Sequence, residues 1–342
     1  MILFLVLLLC APTAGAEPLR LAFWHTELSR KGPGILLADI LKREDQIGTV
    51  VDTIAAARAD VLVLADLDYD HGLATLTALR DAIGAGGGPD YPHLFAPRPN
   101  TGIDTGLDLN GDGEFGWAAD AQGYGRFAGQ GGLAVLSRFP LEPGPDHSTM
   151  LWRDIPGSLL IDHQGREGAK AIGAGVQRLS STSHFELGVR TPSGQPLTMM
   201  IFHAGPPVFD GPEDRNGRRN HDEVLFWKHR LDGAFGPPPP APVIIGAANL
   251  APAGGDGRAP AINALLTDPR LTDPPALRGL PTVDWPDPGP GALRVDYILP
   301  SADLTLGAAK VMTADPKASR HALIWVEIED HATAATRPAA GN

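Results

Sequence analysis

The sequence predicts an α/β sandwich in which β-sheets form the middle and helices lie outside. First, continuous apolar runs such as Asp60–Ala65 (DVLVLA) have the length and composition of strands that are covered on both faces. Second, segments with helical spacing, such as Gly48–Arg58, separate some of these strands. Third, other strands follow one another through loops, and this mixture of connections favours a sandwich.

The pattern of apolar residues predicts strands and helices in the following chain order. The strands are Leu19–Trp24, Asp60–Ala65, Gly132–Ser137, Met199–His203, Val243–Gly246, Arg294–Leu299 and Ala322–Ile328. The helices are Gly48–Arg58, Leu73–Ala85, Asn220–Leu231 and Ala261–Leu266. Asn220, with Glu223 three residues later, is the predicted N-cap of the helix that begins there.

Length and charge limit the number of domains and the kind of partner. The 342 residues, 43% of them hydrophobic, suffice for a sizeable core, and we expect one domain over residues 17–330 and a flexible tail over 331–342. The net charge of −12 opposes tight, unselective binding to nucleic acid, because that affinity comes largely from Lys and Arg on phosphates. It does not oppose the binding of a small phosphorylated substrate to a local basic cluster. We expect such a substrate as the partner, and we expect the protein to be a monomer.

The N-terminus has the pattern of a secretory signal. A hydrophobic run ends in Ala14-Gly15-Ala16, which fits a small-x-small cleavage site, and the run is too short to span a bilayer. A membrane anchor or a misplaced start are the alternatives, and Cys10, the only cysteine, is a candidate lipid-attachment site. Cleavage after Ala16 predicts a secreted or periplasmic protein without cysteines or disulfides and without a stable membrane span.

Polar residues lie at or near the ends of the predicted strands. In an α/β protein, rigid strands aim such side chains into one cleft, so we expect these residues to converge. They are His25, Asp66, His203, Asn249, Asp296 and His321.

The order of motifs resembles the endonuclease/exonuclease/phosphatase superfamily, which includes the pancreatic-type deoxyribonucleases and sphingomyelinases. The most specific motifs are GLAVLSRFP at Gly132–Pro140 and RVDYIL at Arg294–Leu299, and the others are LRLAFWHTE, DVLVLADLDYD, MMIFH, GAAN and SRH. The resemblance extends from Leu19 to Ile328. It implies a four-layer sandwich of two packed mixed β-sheets flanked by helices.

The resemblance also implies metal-assisted cleavage of a phosphoester, in which a divalent ion such as Mg²⁺ polarises the phosphate. By position, Asp66 matches the metal-binding carboxylate and His203 the histidine that contacts the phosphate. His321 matches the catalytic histidine, Asp296 the aspartate that orients it, and Asn249 the asparagine of Gly-Asp-x-Asn. A carboxylate on one ring nitrogen fixes the tautomer and raises the basicity of the other.

Three positions depart from the family pattern. His25 replaces the asparagine of Trp-Asn, Ala247 the aspartate of Gly-Asp-x-Asn, and Arg320 the aspartate of Ser-Asp-His. An alanine methyl neither accepts a proton nor binds a metal, and Arg320 puts a fixed positive charge where a dication would lie. We therefore expect weakened metal binding. Arg320 could neutralise phosphate charge and His25 could serve as ligand or base; the candidates to replace the missing acid are His25, Glu27, Asp68 and Asp70.

Two further stretches are candidate sites. Arg215 and Arg219 follow His203 closely and could bind phosphate through their guanidinium forks, or they could belong to a solvated loop that caps the next helix. The stretch Asp108–Gly116 (DLNGDGEFG) matches the first half of a calcium loop.

The predicted ion in this second stretch is a structural Ca²⁺, and Asp-Gly turns without any ion are the alternative. Its side-chain ligands would be Asp108, Asn110 and Asp112, with Asp120 closing the loop.

The first functional hypothesis is a secreted, metal-dependent phosphoesterase. The second is a pseudoenzyme that keeps the cleft and binds a phosphorylated ligand or a protein partner. The third is a structural protein stabilised by calcium, which the histidine and aspartate positions do not require.

Overall fold

The structure is a computed structural model that describes residues 17–330. The predicted signal sequence with Cys10 and the predicted tail 331–342 lie outside the described residues. The α-helices of the described part are α1 (Ile35–Lys42), α2 (Asp45–Ala57), α3 (Ala74–Ala85), α4 (Arg215–Leu231) and α5 (Pro260–Leu266). No helix within residues 17–330 has both the length and the apolar character that a membrane crossing requires.

Most of the strands form two sheets. The strands are β1 (Leu19–Leu28), β2 (Val61–Leu67), β3 (His93–Phe95), β4 (Gly132–Ser137), β5 (Leu141–Asp146), β6 (Ser183–Arg190), β7 (Pro196–His203), β8 (Pro242–Ala247), β9 (Val283–Trp285), β10 (Gly291–Leu293), β11 (Asp296–Pro300), β12 (Leu306–Met312) and β13 (Leu323–Ile328). The first sheet has the order β12-β13-β1-β2-β4-β3 and the second β11-β8-β7-β6-β5. Both sheets are mixed, since β1–β2 and β7–β8 are parallel and their other pairs are antiparallel.

Alternation along the strands explains the layers. In β1, Phe23 points into an apolar layer that it shares with Ile201 of β7 and Ile245 of β8, so the two sheets pack face to face. Its neighbour Trp24 points to the opposite side, where α1, α2 and α3 cover the first sheet. Phe202 likewise points away from the other sheet, toward α4 and α5. The order helices, sheet, sheet, helices confirms the predicted four-layer sandwich.

The differences from the sequence prediction are concentrated at edges and helix starts. The helix α1, the edge strands β3, β5 and β12, strand β6 and the hairpin β9–β10 were not predicted. Helix α4 begins at Arg215, so the prediction of Asn220 as its N-cap is wrong. Asn220 is fully buried inside the helix, and its amide donates to the carbonyls of Gly205 at 2.8 Å and Ala248 at 2.7 Å.

Strand register brings the polar residues to one end of the layer between the sheets. His203 of β7 is paired with Ala247 of β8, and Ala247 with Asp296 of β11. These positions alternate in phase with the inward-facing apolar residues, so their side chains face the first sheet. The indole Nε1 of Trp24 donates to the carbonyl of His321 at 2.9 Å, which fixes the start of β13 beside the end of β1.

Candidate active site

An aspartate–histidine pair lies at the centre of this end of the sandwich. Nδ1 of His321 is 2.8 Å from Oδ2 of Asp296, and both side chains are buried. The hydroxyl of Thr282 accepts the backbone N–H of Asp296 at 3.1 Å and thereby fixes the carboxylate's strand. Within residues 17–330, Nε2 of His321 has no hydrogen-bond partner. Because the carboxylate holds the proton on Nδ1, Nε2 carries the lone pair and is the basic atom.

Two further imidazoles pack against this pair. His25 stacks on His321 with ring centroids 4.2 Å apart and planes inclined by 15°, and His203 meets His25 edge-on at 5.0 Å. Burial, assisted by the neighbouring imidazoles, lowers the pKa of His25 and of His203 to about 3. Both rings are therefore neutral near pH 7. The amide of Asn249 donates to the carbonyl of Ala204 at 2.8 Å and lies 3.5 Å from Nε2 of His203.

Ala247 lies between the pieces of this cluster. It is fully buried, and its backbone is paired with His203 on one side and Asp296 on the other. The side chain of Ala247 offers no hydrogen bond. Nδ1 of His203 and Oδ1 of Asp296 are buried without a partner among the described residues. Two polar atoms beside Ala247 are thus unsatisfied, a cost that proteins usually avoid.

Carboxylates and a guanidinium line the first-sheet side of the site. Glu27 accepts hydrogen bonds from Nε of Arg320 at 2.8 Å, from its backbone N–H at 2.8 Å, and from its Nη2. Burial raises the pKa of Glu27, but these hydrogen bonds outweigh it, so the net shift is downward. Asp66 accepts from the hydroxyl of Ser29 at 3.2 Å, and burial raises the pKa of Asp66 above its usual range.

These donors do not fit the predicted Mg²⁺ site. Within residues 17–330, no group of three or more His, Cys, Asp or Glu side chains is placed to hold a metal ion. Both oxygens of Glu27 are bound to Arg320, and the carboxylate of Asp296 is bound to His321. Asp66 remains as a carboxylate that interacts with His203 and His321, and one free carboxylate is a poor site for a dication.

Two aspartates considered as replacements for the missing acid have other roles. Asp68 accepts the backbone N–H groups of Gly131 and Arg30, each at 3.0 Å, and burial raises the pKa of Asp68 to about 6. Asp70 accepts two backbone N–H groups at the start of α3, each at 2.8 Å. Asp70 therefore caps a helix, and Asp68 braces the loop before β4.

Within residues 17–330, neither predicted arginine forms a hydrogen bond with His25, His203 or His321. Arg219 is buried in α4, and its Nε and Nη2 donate to the carbonyls of Leu179 and Arg178, each at 2.8 Å. It ties loop backbone to the helix, which corrects its prediction as a phosphate ligand. Arg215 begins α4, and its Nη2 is buried without a partner among the described residues. Burial lowers the pKa of Arg215 to about 10, and its charged neighbours are Arg219 and loop carboxylates.

The predicted calcium loop satisfies its side chains with its own backbone. Asp108 accepts the N–H groups of Gly111 and Gly113, and Asp112 accepts from Asn110 at 2.8 Å. Since residues 17–330 contain no group of three or more His, Cys, Asp or Glu side chains placed to hold a metal, the prediction of a calcium site gains no support. The alternative, a series of Asp-Gly turns, accounts for the contacts.

One aromatic residue beside the pair was missed. The ring of Trp285, on β9, meets His321 edge-on at 5.6 Å, and Val283 of the same strand bridges to His321. The sequence placed this region next to a Pro/Gly surface loop. The strands of this hairpin are too short for their sequence to show which way the indole of Trp285 faces. Only the contact with His321 in the folded protein identifies Trp285 as part of the site.

Comparison with solved structures agrees with the four-layer fold. The endonuclease/exonuclease/phosphatase from Beutenbergia cavernae DSM 12333 has a TM-score of 0.58 and 16% identity, over 92% of this chain and 72% of that one. An endonuclease/exonuclease/phosphatase family protein from Leptotrichia buccalis C-1013-b has a TM-score of 0.55 and 15% identity, over 91% of this chain and 99% of that one. The human Nocturnin catalytic domain with bound sulfate anion has a TM-score of 0.52 and 14% identity, over 92% of this chain and 94% of that one. At such identities these likenesses show the fold alone.

Sequence comparison agrees with the structural one. No curated protein matches the sequence. The family profile described as Endonuclease/Exonuclease/phosphatase matches residues 30–321, which include elements of all four layers but neither β1 nor β13. Members of this family are phosphoesterases of the nuclease or phosphatase type and generally use divalent metal ions. A profile match over most of the chain, together with the four-layer fold, shows that the protein belongs to the Endonuclease/Exonuclease/phosphatase family.

Proposed function

We propose that the protein hydrolyses phosphoric esters of small soluble molecules, and that it does so as a secreted or periplasmic monomer. The observation that carries the proposal is the buried Asp296–His321 pair, joined at 2.8 Å. The unpartnered Nε2 of His321 lies at the end of the layer where His203, Asn249 and His25 also meet. A family of phosphoesterases supplies the class of reaction.

The proposed reaction is the attack of water on phosphorus. Nε2 of His321 takes a proton from the water as its oxygen bonds to phosphorus, and the carboxylate of Asp296 stabilises the imidazolium that forms. The bond from phosphorus to the ester oxygen breaks, and the imidazolium returns the proton to the leaving alkoxide. A positioned acid or base of this kind contributes about 10²- to 10⁴-fold in rate.

Hydrogen-bond donors orient the phosphate in this proposal. The amide of Asn249 and the neutral ring of His203 lie side by side and donate to the non-bridging oxygens. Donors that are in place before the reaction stabilise the charge that develops on those oxygens, and one such donor contributes about 10²- to 10³-fold. Nocturnin, which shares the fold, holds a sulfate anion in its crystal structure, and a tetrahedral oxyanion is the ligand class proposed for this cleft.

The location of the protein and the size of its substrate are inferred from the sequence. The run of apolar residues before Ala16 supports export, and a mature chain without cysteine is compatible with an oxidising compartment. The net charge of −12 favours a small substrate over a long polyanion.

Hydrolysis of p-nitrophenyl phosphate and bis-p-nitrophenyl phosphate by the chain from Glu17 onward tests the proposal. We expect turnover that His321→Ala lowers by about 10²- to 10⁴-fold in kcat. His71→Ala is the matched control, because His71 is an exposed histidine before α3. Turnover that survives in His321→Ala contradicts the proposal.

A second candidate is a pseudoenzyme that binds a phosphorylated ligand. The observation that favours it is Ala247, whose methyl leaves polar atoms of His203 and Asp296 buried and unpaired. Absence of turnover with either ester, beside saturable binding of inorganic phosphate, supports this candidate over the hydrolase.

A further inference from the structure

We propose that Arg320, held by Glu27, takes the place of a divalent metal ion at this site and binds the phosphate of a monoanionic phosphodiester. This inference rests on the proposed hydrolysis of phosphoric esters and adds to it a ligand class and a metal-independent mode of binding. It starts from the one position where the family's carboxylate has become a cation.

The ion pair removes Glu27 from the set of free ligands. Oε2 of Glu27 accepts the backbone N–H of Arg320 and Oε1 accepts its Nε, each at 2.8 Å, and Nη2 binds Oε1 as well. Both carboxylate oxygens are therefore occupied. The side chain of Glu27 is 21% exposed and that of Arg320 is 53% exposed, so the glutamate anchors the pair and the guanidinium faces solvent.

The neighbouring residues hold this pair against the histidines. The hydroxyl of Ser319 donates to the carbonyl of His25 at 2.7 Å and accepts the backbone N–H of His321 at 3.0 Å. The segment before β13 is thus fixed on the end of β1 at three successive residues. Arg320 has the proton-transferring His321 as its chain neighbour, and its partner Glu27 lies two residues after His25.

The guanidinium keeps hydrogen-bonding capacity for a ligand. Among the described residues, Nη1 of Arg320 has no partner, since only its Nε, Nη2 and backbone N–H are bonded. Two terminal nitrogens of one guanidinium present parallel N–H groups that match two oxygens of a phosphate. A guanidinium anchored through Nε keeps that edge oriented before the ligand arrives.

The charge of the site selects among phosphates. A dication contributes two positive charges, whereas Arg320 contributes one, and Glu27 already balances it. Asp66 adds a further acidic group that interacts with Glu27. A site with no excess of positive charge binds a single negative charge better than two, because each added charge is repelled by the carboxylates. A phosphodiester carries one charge, and a phosphomonoester carries close to two near neutral pH.

Calorimetric titration after dialysis against EDTA tests this inference. The probes are dimethyl phosphate, which is a monoanion, and methyl phosphate, which is a dianion at about pH 8. We expect dimethyl phosphate to bind the metal-free protein more tightly than methyl phosphate does. Arg320→Ala should weaken the binding of dimethyl phosphate about tenfold or more, because the charge-assisted fork is lost.

Two variants separate the role of Arg320 from general effects. Arg190→Ala removes another arginine that is paired with one glutamate, Glu142, but Arg190 lies at the far end of β6 from the residue paired with His203, so its affinity should match the wild type. Arg320→Lys keeps the charge without the fork and should bind with intermediate affinity. Thermal unfolding of each variant checks that the fold is kept.

The outcomes distinguish this inference from the proposed function. Equal affinity of Arg320→Ala and wild type for dimethyl phosphate overturns the role of Arg320. Hydrolysis that EDTA abolishes and Mg²⁺ restores also overturns it, while the hydrolase itself stands. Binding of dimethyl phosphate as expected, without hydrolysis of any ester, refutes the hydrolase and leaves the arginine site in place.

Discussion

The candidate site has two halves that differ in their side chains: most of the first comes from the second sheet, and most of the second comes from the first sheet. The acid–base half consists of His203, Asn249, Asp296 and His321. The cation half consists of His25, Glu27, Asp66 and Arg320. In the first half, Asp296 and His321 form the hydrogen bond that the sequence resemblance predicts. In the second half, an ion pair joins Glu27 to Arg320, and the imidazole of His25 stacks on His321.

In the proposed reaction the two halves have separate tasks. Proton transfer needs a histidine with a fixed tautomer, and Asp296 provides this without help from a cation. Charge neutralisation needs a positive group near the phosphate, and both a metal ion and a guanidinium can provide it. The shared wall between the halves is Ala247 and the stack of His25 on His321. Variants at these contacts therefore test how separate the halves are.

The largest effect on stability is expected at His25. Its pKa falls from 6.5 in the unfolded chain to about 3 in the protein, chiefly through burial and next through His321. Between these values the native state binds fewer protons than the unfolded state, so its stability falls as the pH decreases below 6.5. One such group contributes up to about 5 kcal/mol of pH-dependent destabilisation over this window.

His25→Asn removes this titration and restores the family's residue. We expect its free energy of unfolding to depend on pH less steeply than that of wild type between about pH 6 and 4, by about 1.4 kcal/mol per pH unit. The carboxyl groups with raised pKa values, such as Asp68, act with the opposite sign in both proteins and cancel in the comparison. Urea unfolding at each pH measures the slopes, and equal slopes contradict the buried neutral imidazole.

A carboxylate at Ala247 is expected to have the second-largest effect. The site is fully buried and next to Asp296, so Ala247→Asp puts a second acid beside a buried one and should cost about 3 kcal/mol of stability. The cost should grow as the pH rises, since burial favours the protonated acid. Denaturant unfolding at about pH 5 and 8 measures the loss of stability and its increase with pH. A free energy of unfolding equal to that of wild type at both pH values contradicts this account.

The double variant Ala247→Asp/Arg320→Asp tests both halves of the site together. It removes the guanidinium, frees Glu27, which interacts with Asp66, and adds two carboxylates to the site. Saturable Mn²⁺ binding in the double variant, with none in wild type, is the expected result, because several oxygen ligands then converge. Mn²⁺ binding by wild type of equal strength contradicts the division of the site into an acid–base half and a cation half.

The sequence predicted the parts of the molecule that have local signatures. Buried strands such as β2 and β8 are continuous apolar runs, and the Asp296–His321 contact followed from two motifs that the family keeps together. Edge strands such as β5, whose residues are mostly exposed, have no such run and were missed. The start of α4 was misplaced because polar residues on its buried face, such as Asn220, resemble a cap.

Ligand roles were the least predictable part. Arg215 and Arg219 have the right residue type at the right distance from His203, but a helix that begins at Arg215 turns Arg219 toward loop carbonyls. The Glu27–Arg320 pair joins residues almost 300 positions apart, and neither is unusual in its own neighbourhood. Spacing along the chain does not show whether a charged group meets a ligand or another charged group.

The smallest effect on the site is expected from Arg219, although it lies in the helix after a site strand. Arg219→Met keeps much of the apolar stem and removes donors to the carbonyls of Leu179 and Arg178. Leaving these carbonyls unpaired should cost about 2 kcal/mol of stability. Because Arg219 contacts backbone and not the histidines, the affinity for dimethyl phosphate should equal that of wild type. Urea unfolding and calorimetry on the same sample measure both quantities, and weakened affinity at unchanged stability would return Arg219 to the list of phosphate ligands.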